Sequence, residues 1–305
     1  MAINHNIELL FKYNISNKDS LFVYHPSTRN NKDLNVLKCN KSGVIVLEEN
    51  KLSEKYYETN TYYEIDLNVN YHKNTIRKEN EPKPLQDDIR RFESYEELIK
   101  DSYILDFGCG MADFIRLTQA ISKKSIGLEI NNEVREYNNN RGIPCIKSLE
   151  ELNNAKFDLI TLNHVFEHLN NPIDILVELQ KYLKDDGIII IEVPNASDIL
   201  LETFNLESFK DFTFWSDHLI LHTKKSLEAF ATNSGLHVKS IEGIQRHPIS
   251  NHFNWLANNQ PYGHHKFANL NKDDFNKHYE TLLDSINQTD TLIGYFSKNI
   301  ETIEK

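Results

Sequence analysis

The segment ILDFGCGMADF, Ile104 to Phe114, sets Gly108 and Gly110 between an apolar run and an amphipathic one. A buried strand feeding such a turn and then a helix leaves backbone N–H groups where a ligand can lie close. Glycine allows backbone conformations and approach distances that a side chain forbids. An ordinary structural turn uses spaced glycines too, so the spacing alone assigns no ligand. About 20 residues further on, the next apolar run, KSIGLEI, carries Glu129 next to its end, where a carboxylate can accept hydrogen bonds from both hydroxyls of a ribose. Dinucleotides and S-adenosylmethionine both fit this much. A dinucleotide loop calls for a third glycine where Asp113 stands, and an acid sits badly beside a pyrophosphate. S-adenosylmethionine carries no diphosphate.

Further imidazoles follow. HVFEHL brings His164, Glu167 and His168 together, in the order H-x-x-E-H; zinc proteases need H-E-x-x-H, so that reading fails. His218 follows Asp217 in FWSDHLILH. An imidazole, with a reference pKa of about 6.5, suits a hydroxyl that must lose its proton, and equally suits a buried structural hydrogen bond. The stretch QRHPISNHFNWLANNQPYGHHKF gathers Arg246, His247, Asn251, Trp255, His264 and His265. Rings that stack and polar groups that direct hydroxyls suit a sugar. The spacing of these histidines fits no metal motif, so no metal is expected.

The elements that must position these groups follow a regular alternation from Tyr103 to about Glu242. YILDF, KSIGLEI, IPCIKS, FDLITL, GIIIIEVP and HVKSIEGI read as strands, separated by amphipathic runs such as ADFIRLTQAIS and NPIDILVELQKYLK. Continuous apolar strands alternating with helices imply a parallel sheet covered on both faces. Ahead of it, Asp87–Lys100 carries Ile89, Phe92, Tyr95, Leu98 and Ile99 at helical spacing, predicting one packed face. Residues 1–85 are Tyr-rich and polar and close on the Pro-bearing EPKPLQ, which separates them from a domain over 86–305.

LDFGCG, GLEI, FDLITLNHVFEHLNNP and LKDDGIIIIEVPN, in that order, resemble the class I S-adenosylmethionine-dependent methyltransferases, in the subgroup with an H-x-x-E-H-L loop. The likeness covers about Tyr103 to Glu242 and implies an α/β, Rossmann-like, seven-stranded and mainly parallel sheet. It implies the methionine part of the cofactor over Asp106, Phe107, Gly108, Cys109 and Gly110, and the ribose on Glu129. Adenine would lie near Ile130 and the Ser148-Leu149 turn, with Asn163 and His164 near the sulfonium. Ala112 departs from the family, where glycine is common. The segment around His218 is similar to the family's acceptor side, making that imidazole the expected base. DTLIGYFSK would be the last strand, antiparallel to HVKSIEGI, with 245–289 as a helical lid before it. LKCNKSGVIVL is similar to the zinc-ribbon half-site of sugar C-methyltransferases. Ser42 replaces its second cysteine and His25 is the one nearby substitute, so a degenerate ribbon without metal is expected.

The expected reaction is methyl transfer to a small polar acceptor, a sugar or nucleotide-linked sugar hydroxyl in surface-polysaccharide synthesis. A nicotinamide-dependent oxidoreductase and a non-catalytic S-adenosylmethionine-binding protein are the rivals. A net charge of -11 argues against broad contact with nucleic acid. Three scattered cysteines imply no disulfide framework, and neither a signal peptide nor a membrane span is legible, which together point to the cytoplasm. Oligomeric state is not legible.

Overall fold

The computed structural model describes residues 4–52, 54–59 and 84–298. Of the closely spaced tyrosines of the N-terminal region, Tyr56 and Tyr57 lie among them and Tyr62 and Tyr63 lie outside. In chain order the strands are β1 (Leu21–His25), β2 (Val36–Cys39), β3 (Ile45–Leu47), β4 (Tyr103–Phe107), β5 (Lys124–Leu128) and β6 (Cys145–Ile146). They continue with β7 (Phe157–Asn163), β8 (Leu183–Pro194), β9 (Ile220–Leu221), β10 (Leu236–Ile244) and β11 (Thr291–Lys298). One sheet has seven strands in the order β10-β11-β8-β7-β4-β5-β6. β4 is parallel to β5 and β7, β5 is parallel to β6, and β10 and β11 are antiparallel. The α/β architecture and the antiparallel last strand are those the sequence predicts. Among the described residues, no helix is long and apolar enough to cross a membrane.

The chain divides into two compact units. The first comprises Leu52–Asn163 and Glu178–Ile189. Its strand β4 buries Ile104 and Leu105 completely, as the apolar part of a strand covered on both faces must. The helix Asn132–Asn140 opens on Asn131, whose side chain accepts the Val134 N–H. Ahead of β4, the apolar spacing predicts one packed face, but the helix Gln86–Ser94 ends at Tyr95 and restarts as Glu96–Ile99. That break turns Leu98 outward, while Tyr95 and Ile99 stay buried and Tyr95 meets Phe114 edge-on at 6.3 Å. Asp88 and Arg91 are buried instead, as an ion pair of 2.9 Å.

The second unit runs up to Lys51, includes His164–Val177 and resumes at Ile190. It contains a smaller sheet, β1-β2-β3-β9, in which Ile45 pairs with Leu221 and Val46 with Ile220. The N-terminal strands therefore do not stand apart as the sequence implies. A three-stranded ribbon this short has too little apolar area to fold alone. Its Val36, Ile45 and Leu47 join one core with Phe214, Leu221 and Trp255. The helix Lys224–Asn233 starts on a Thr223–Ser226 capping box and stops just before Gly235 at φ 93. Helices Ile249–Asn258, Gly263–Lys266 and Asp273–Ser285 fill the chain between β10 and β11.

Candidate active site

In the first unit, β4 runs into a turn with Gly108 at φ 77 and Gly110 at φ 52, both in the region that favours glycine. The N–H groups of Gly108 and Cys109 donate to the Leu128 carbonyl at 2.8 and 2.9 Å, tying the turn to the end of β5. Glu129 follows β5 and is buried. Its Oε2 accepts the Gly110 N–H at 3.0 Å and its Oε1 accepts the Asn131 N–H at 2.7 Å. A carboxylate has about four acceptor positions in all, which suits it to hydroxyls as well as to backbone N–H groups.

Asp106 lies at the end of β4 and accepts from the Thr161 hydroxyl at 2.6 Å and the Asn163 amide at 3.1 Å. Burial pushes its carboxyl up to about 6, against the pull of Thr161, Arg91 and Asn163. The Asn163 Oδ1 is buried with no hydrogen-bond partner among the described residues, an acceptor set toward a ligand. Phe107 is half-buried, and Cys109 Sγ lies 3.5 Å from Cys145 Sγ. Ile130 is exposed after β5, Leu149 is buried after β6, and Ser148 caps the turn Leu149–Leu152 in a box with Glu151. A side-chain-free turn, a paired-oxygen carboxylate and a spare amide oxygen fit the methionine and ribose parts of S-adenosylmethionine. Ala112 occupies the left-handed region at φ 54, where the family's usual glycine would be unstrained.

In the second unit, His164 begins where β7 ends, itself left-handed at φ 53, with its N–H on the Glu192 carbonyl at 2.9 Å. HVFEHL is not the helix its spacing allows; only Phe166–His168 forms a single 3-10 turn. The His164 Nδ1 donates to Glu167 Oε1 at 3.2 Å. Its Nε2 lies 2.9 Å from Arg246 Nη1 and 3.2 Å from Glu192 Oε1. Burial would push Glu167 up, but the His164 hydrogen bond and the imidazoles of His168 and His218 hold it at about 2. Burial pushes His218 below the usual histidine range, partly offset by Asp217. The His218 side chain lines a shallow hollow with Leu47, Phe214, Trp215 and Leu221.

The acceptor residues expected from the sequence separate. Arg246 reaches His164, and the N–H groups of Arg246 and His247 sit on the Asp290 carboxylate at 3.1 and 3.0 Å. His265 is exposed and His264 half-buried, their ring centres 4.1 Å apart. Trp255 is not a sugar platform. It is 2% exposed, its ring 5.2 Å from those of both Phe209 and Phe212, because the core claims the largest apolar side chain of its helix. Asn251 is buried and accepts the Gly263 N–H at 3.2 Å, a turn-holding role.

Thr161, Arg91 and Glu192 escape the sequence reading. Glu192 had a signal, a single acid inside the apolar run GIIIIEVP, and it is fully buried. In the N-terminal sheet, Cys39 pairs with Leu21 and His25 with Val36, so the two expected remnants of a zinc site lie at opposite ends of the β1–β2 pair. Burial raises the Cys39 thiol, but hydrogen bonds from Ser16, Ser20 and Ser42 outweigh it and bring it to about 7.

The methyltransferase domain family matches residues 77–241. An uncharacterised protein of Methanocaldococcus jannaschii is 29% identical over 143 residues, 47% of this chain and 56% of that protein, so the likeness spans little more than half of its relative. Among solved structures, an S-adenosylmethionine-dependent methyltransferase from Archaeoglobus fulgidus shares 20% identity over 68% of this chain and 92% of its own, with a TM-score of 0.48. The plantazolicin methyltransferase BamL, solved with a triazolic desmethylPZN analog and SAH, shares 16% identity over 79% and 94%, with a TM-score of 0.49. With more than half of its 305 residues matched, this chain belongs to the methyltransferase domain family.

Proposed function

We propose that this protein transfers the methyl group of S-adenosylmethionine to a hydroxyl of a small polar acceptor, a sugar or nucleotide-linked sugar. The observation that carries this reading is His218, an imidazole that burial keeps neutral beside the Glu167 carboxylate. A neutral imidazole can take the proton of a hydroxyl that becomes a nucleophile. His164 is less suited, because its hydrogen bonds to Glu167 and Glu192 outweigh burial and Arg246 and raise its pKa. Glu129 would hold the ribose hydroxyls, the Gly108–Gly110 turn the methionine part, and Asn163 the polar groups near the sulfur. The bound cofactor supplies a methyl carbon already activated by its sulfonium. The chain's own residues therefore supply alignment and one proton acceptor. Arg246, His247, His264 and His265 are the groups left for a polyhydroxylated acceptor once Trp255 and Asn251 are assigned to the core.

The test combines binding with turnover. Calorimetry should show S-adenosylmethionine binding and negligible NAD binding, and labelled methyl should appear in a saccharide fraction. His218→Ala should lower kcat roughly 10²–10⁴-fold with cofactor affinity little changed. Equal or tighter NAD binding would end the reading, and label appearing only in peptide would move the acceptor out of the saccharide class.

A further inference from the structure

We propose that Glu167, His168 and His218 form a binding site for one divalent transition-metal ion. Each offers a donor atom, and the three atoms lie within 4.8 Å of one another. Bonds of about 2.0–2.2 Å to a common ion set neighbouring donors roughly 3–3.6 Å apart, so closure asks for about 1 Å of side-chain movement. The two imidazoles already meet edge to face, with ring centres 5.0 Å apart. His168 Nε2 lies 4.0 Å from Glu167 Oε1.

Two independent features favour an ion over a plain hydrogen-bonded cluster. Glu167 is fully buried, and although Oε1 takes the His164 proton, Oε2 has no hydrogen-bond partner among the described residues. A buried carboxylate oxygen left without a donor is costly, and a cation would satisfy it. The His168 ring is oriented from behind, with Nδ1 donating to the Asp217 carbonyl at 2.9 Å. A ring nitrogen held by a backbone carbonyl is the outer-shell arrangement of metal-bound histidines. Asp217 Oδ1 is likewise buried and unpartnered among the described residues, 3.7 Å separating Oδ2 from His168 Nδ1.

Two nitrogens and one carboxylate select manganese, iron, cobalt or zinc over magnesium or calcium, which prefer all-oxygen sets. Three protein ligands leave positions open for an acceptor oxygen. An ion there would occupy the His218 lone pair, so His218 would not serve as base, and a bound hydroxyl made more acidic by the ion would release its proton to solvent. This consequence rests on the proposed transfer to oxygen; the binding of the ion does not. It departs from the metal-free reaction that the sequence suggests.

The full chain is stripped with chelator, dialysed, and titrated separately with Mn²⁺, Zn²⁺ and Mg²⁺, with bound metal measured by mass spectrometry. One Mn²⁺ or Zn²⁺ per chain is expected, with Mg²⁺ at least 10-fold weaker. The electron paramagnetic resonance of bound Mn²⁺ should show nitrogen couplings. His168→Gln and His218→Ala should each weaken binding 10-fold or more, and His265→Ala should not. Substoichiometric metal, no nitrogen coupling, or equal binding by the His168 variant would overturn the site. Should one variant fail to fold, the nitrogen couplings of the wild-type protein still decide. Metal bound without any S-adenosylmethionine binding would leave this site standing and remove the proposed reaction; methyl transfer by the protein when substoichiometric metal is all it can bind would remove the site and leave the reaction.

Discussion

At the scale of single residues, Glu129 and Ala112 carry the sharpest expectations. Both Glu129 oxygens already hold backbone N–H groups, from Gly110 and Asn131. Glu129→Ala therefore removes ribose acceptors and unties the glycine turn together, and S-adenosylmethionine binding should weaken by about 1–3 kcal/mol. Unchanged affinity in calorimetry would mean that the ribose lies elsewhere. Ala112 sits buried at φ 54, a conformation costing an alanine about 1–2 kcal/mol. Ala112→Gly relieves that strain and adds freedom to the unfolded chain, so urea unfolding should show a net gain of up to about 1 kcal/mol. A loss would show that the Ala112 methyl group contributes more in packing than it costs in backbone strain. The Gly108–Gly110 turn and Glu129 stand out by residue type and by position along two successive strands, whereas Asp106 entered through the family resemblance alone. Arg91, Thr161 and Glu192 were not legible, because their partners lie on other strands or other segments.

At the scale of elements, the turn into the helix Ile199–Glu202 holds a pH-sensitive group. Asp198 caps that helix, its carboxylate accepting the Leu200 N–H at 2.7 Å. Burial, then the charge of Asp290, pushes its carboxyl up to about 8, against the pull of that N–H. The folded state thus holds a proton that the unfolded state releases near its ordinary value of 3.8. Stability should therefore fall as pH rises from about 4 to 8 and level off above. Asp198→Asn keeps the capping oxygen and cannot ionise. It should flatten that slope and be more stable than wild type at pH 8 by at least about 2 kcal/mol. Parallel pH profiles in urea titrations would refute this. The helix Ile249–Asn258 teaches the complementary lesson. Its Trp255 looked like a sugar-stacking residue by type, and packing against Phe209 and Phe212 gave it to the core.

At the scale of the whole molecule, the N-terminal strands belong to the same unit as β9–β11. Their Val36, Ile45 and Leu47 share a core with Phe214, Leu221 and Trp255, so deleting residues 1–51 should strip that core and give aggregated protein. A soluble, cooperatively unfolding truncation would restore the separate N-terminal domain suggested by its composition. The sequence by itself determined the strand–helix alternation, the parallel sheet and the glycine turn. Each is written in local periodicity or in residue types a few positions apart, where the chain can be read as a line. Tertiary structure alone decided that β3 pairs with β9, that the helix ahead of β4 breaks at Tyr95, and that Glu167 is buried among His164, His168 and His218. Those outcomes depend on which distant segments exclude water from one another, and burial and charge pairing across some 50 residues leave no periodic trace along the chain.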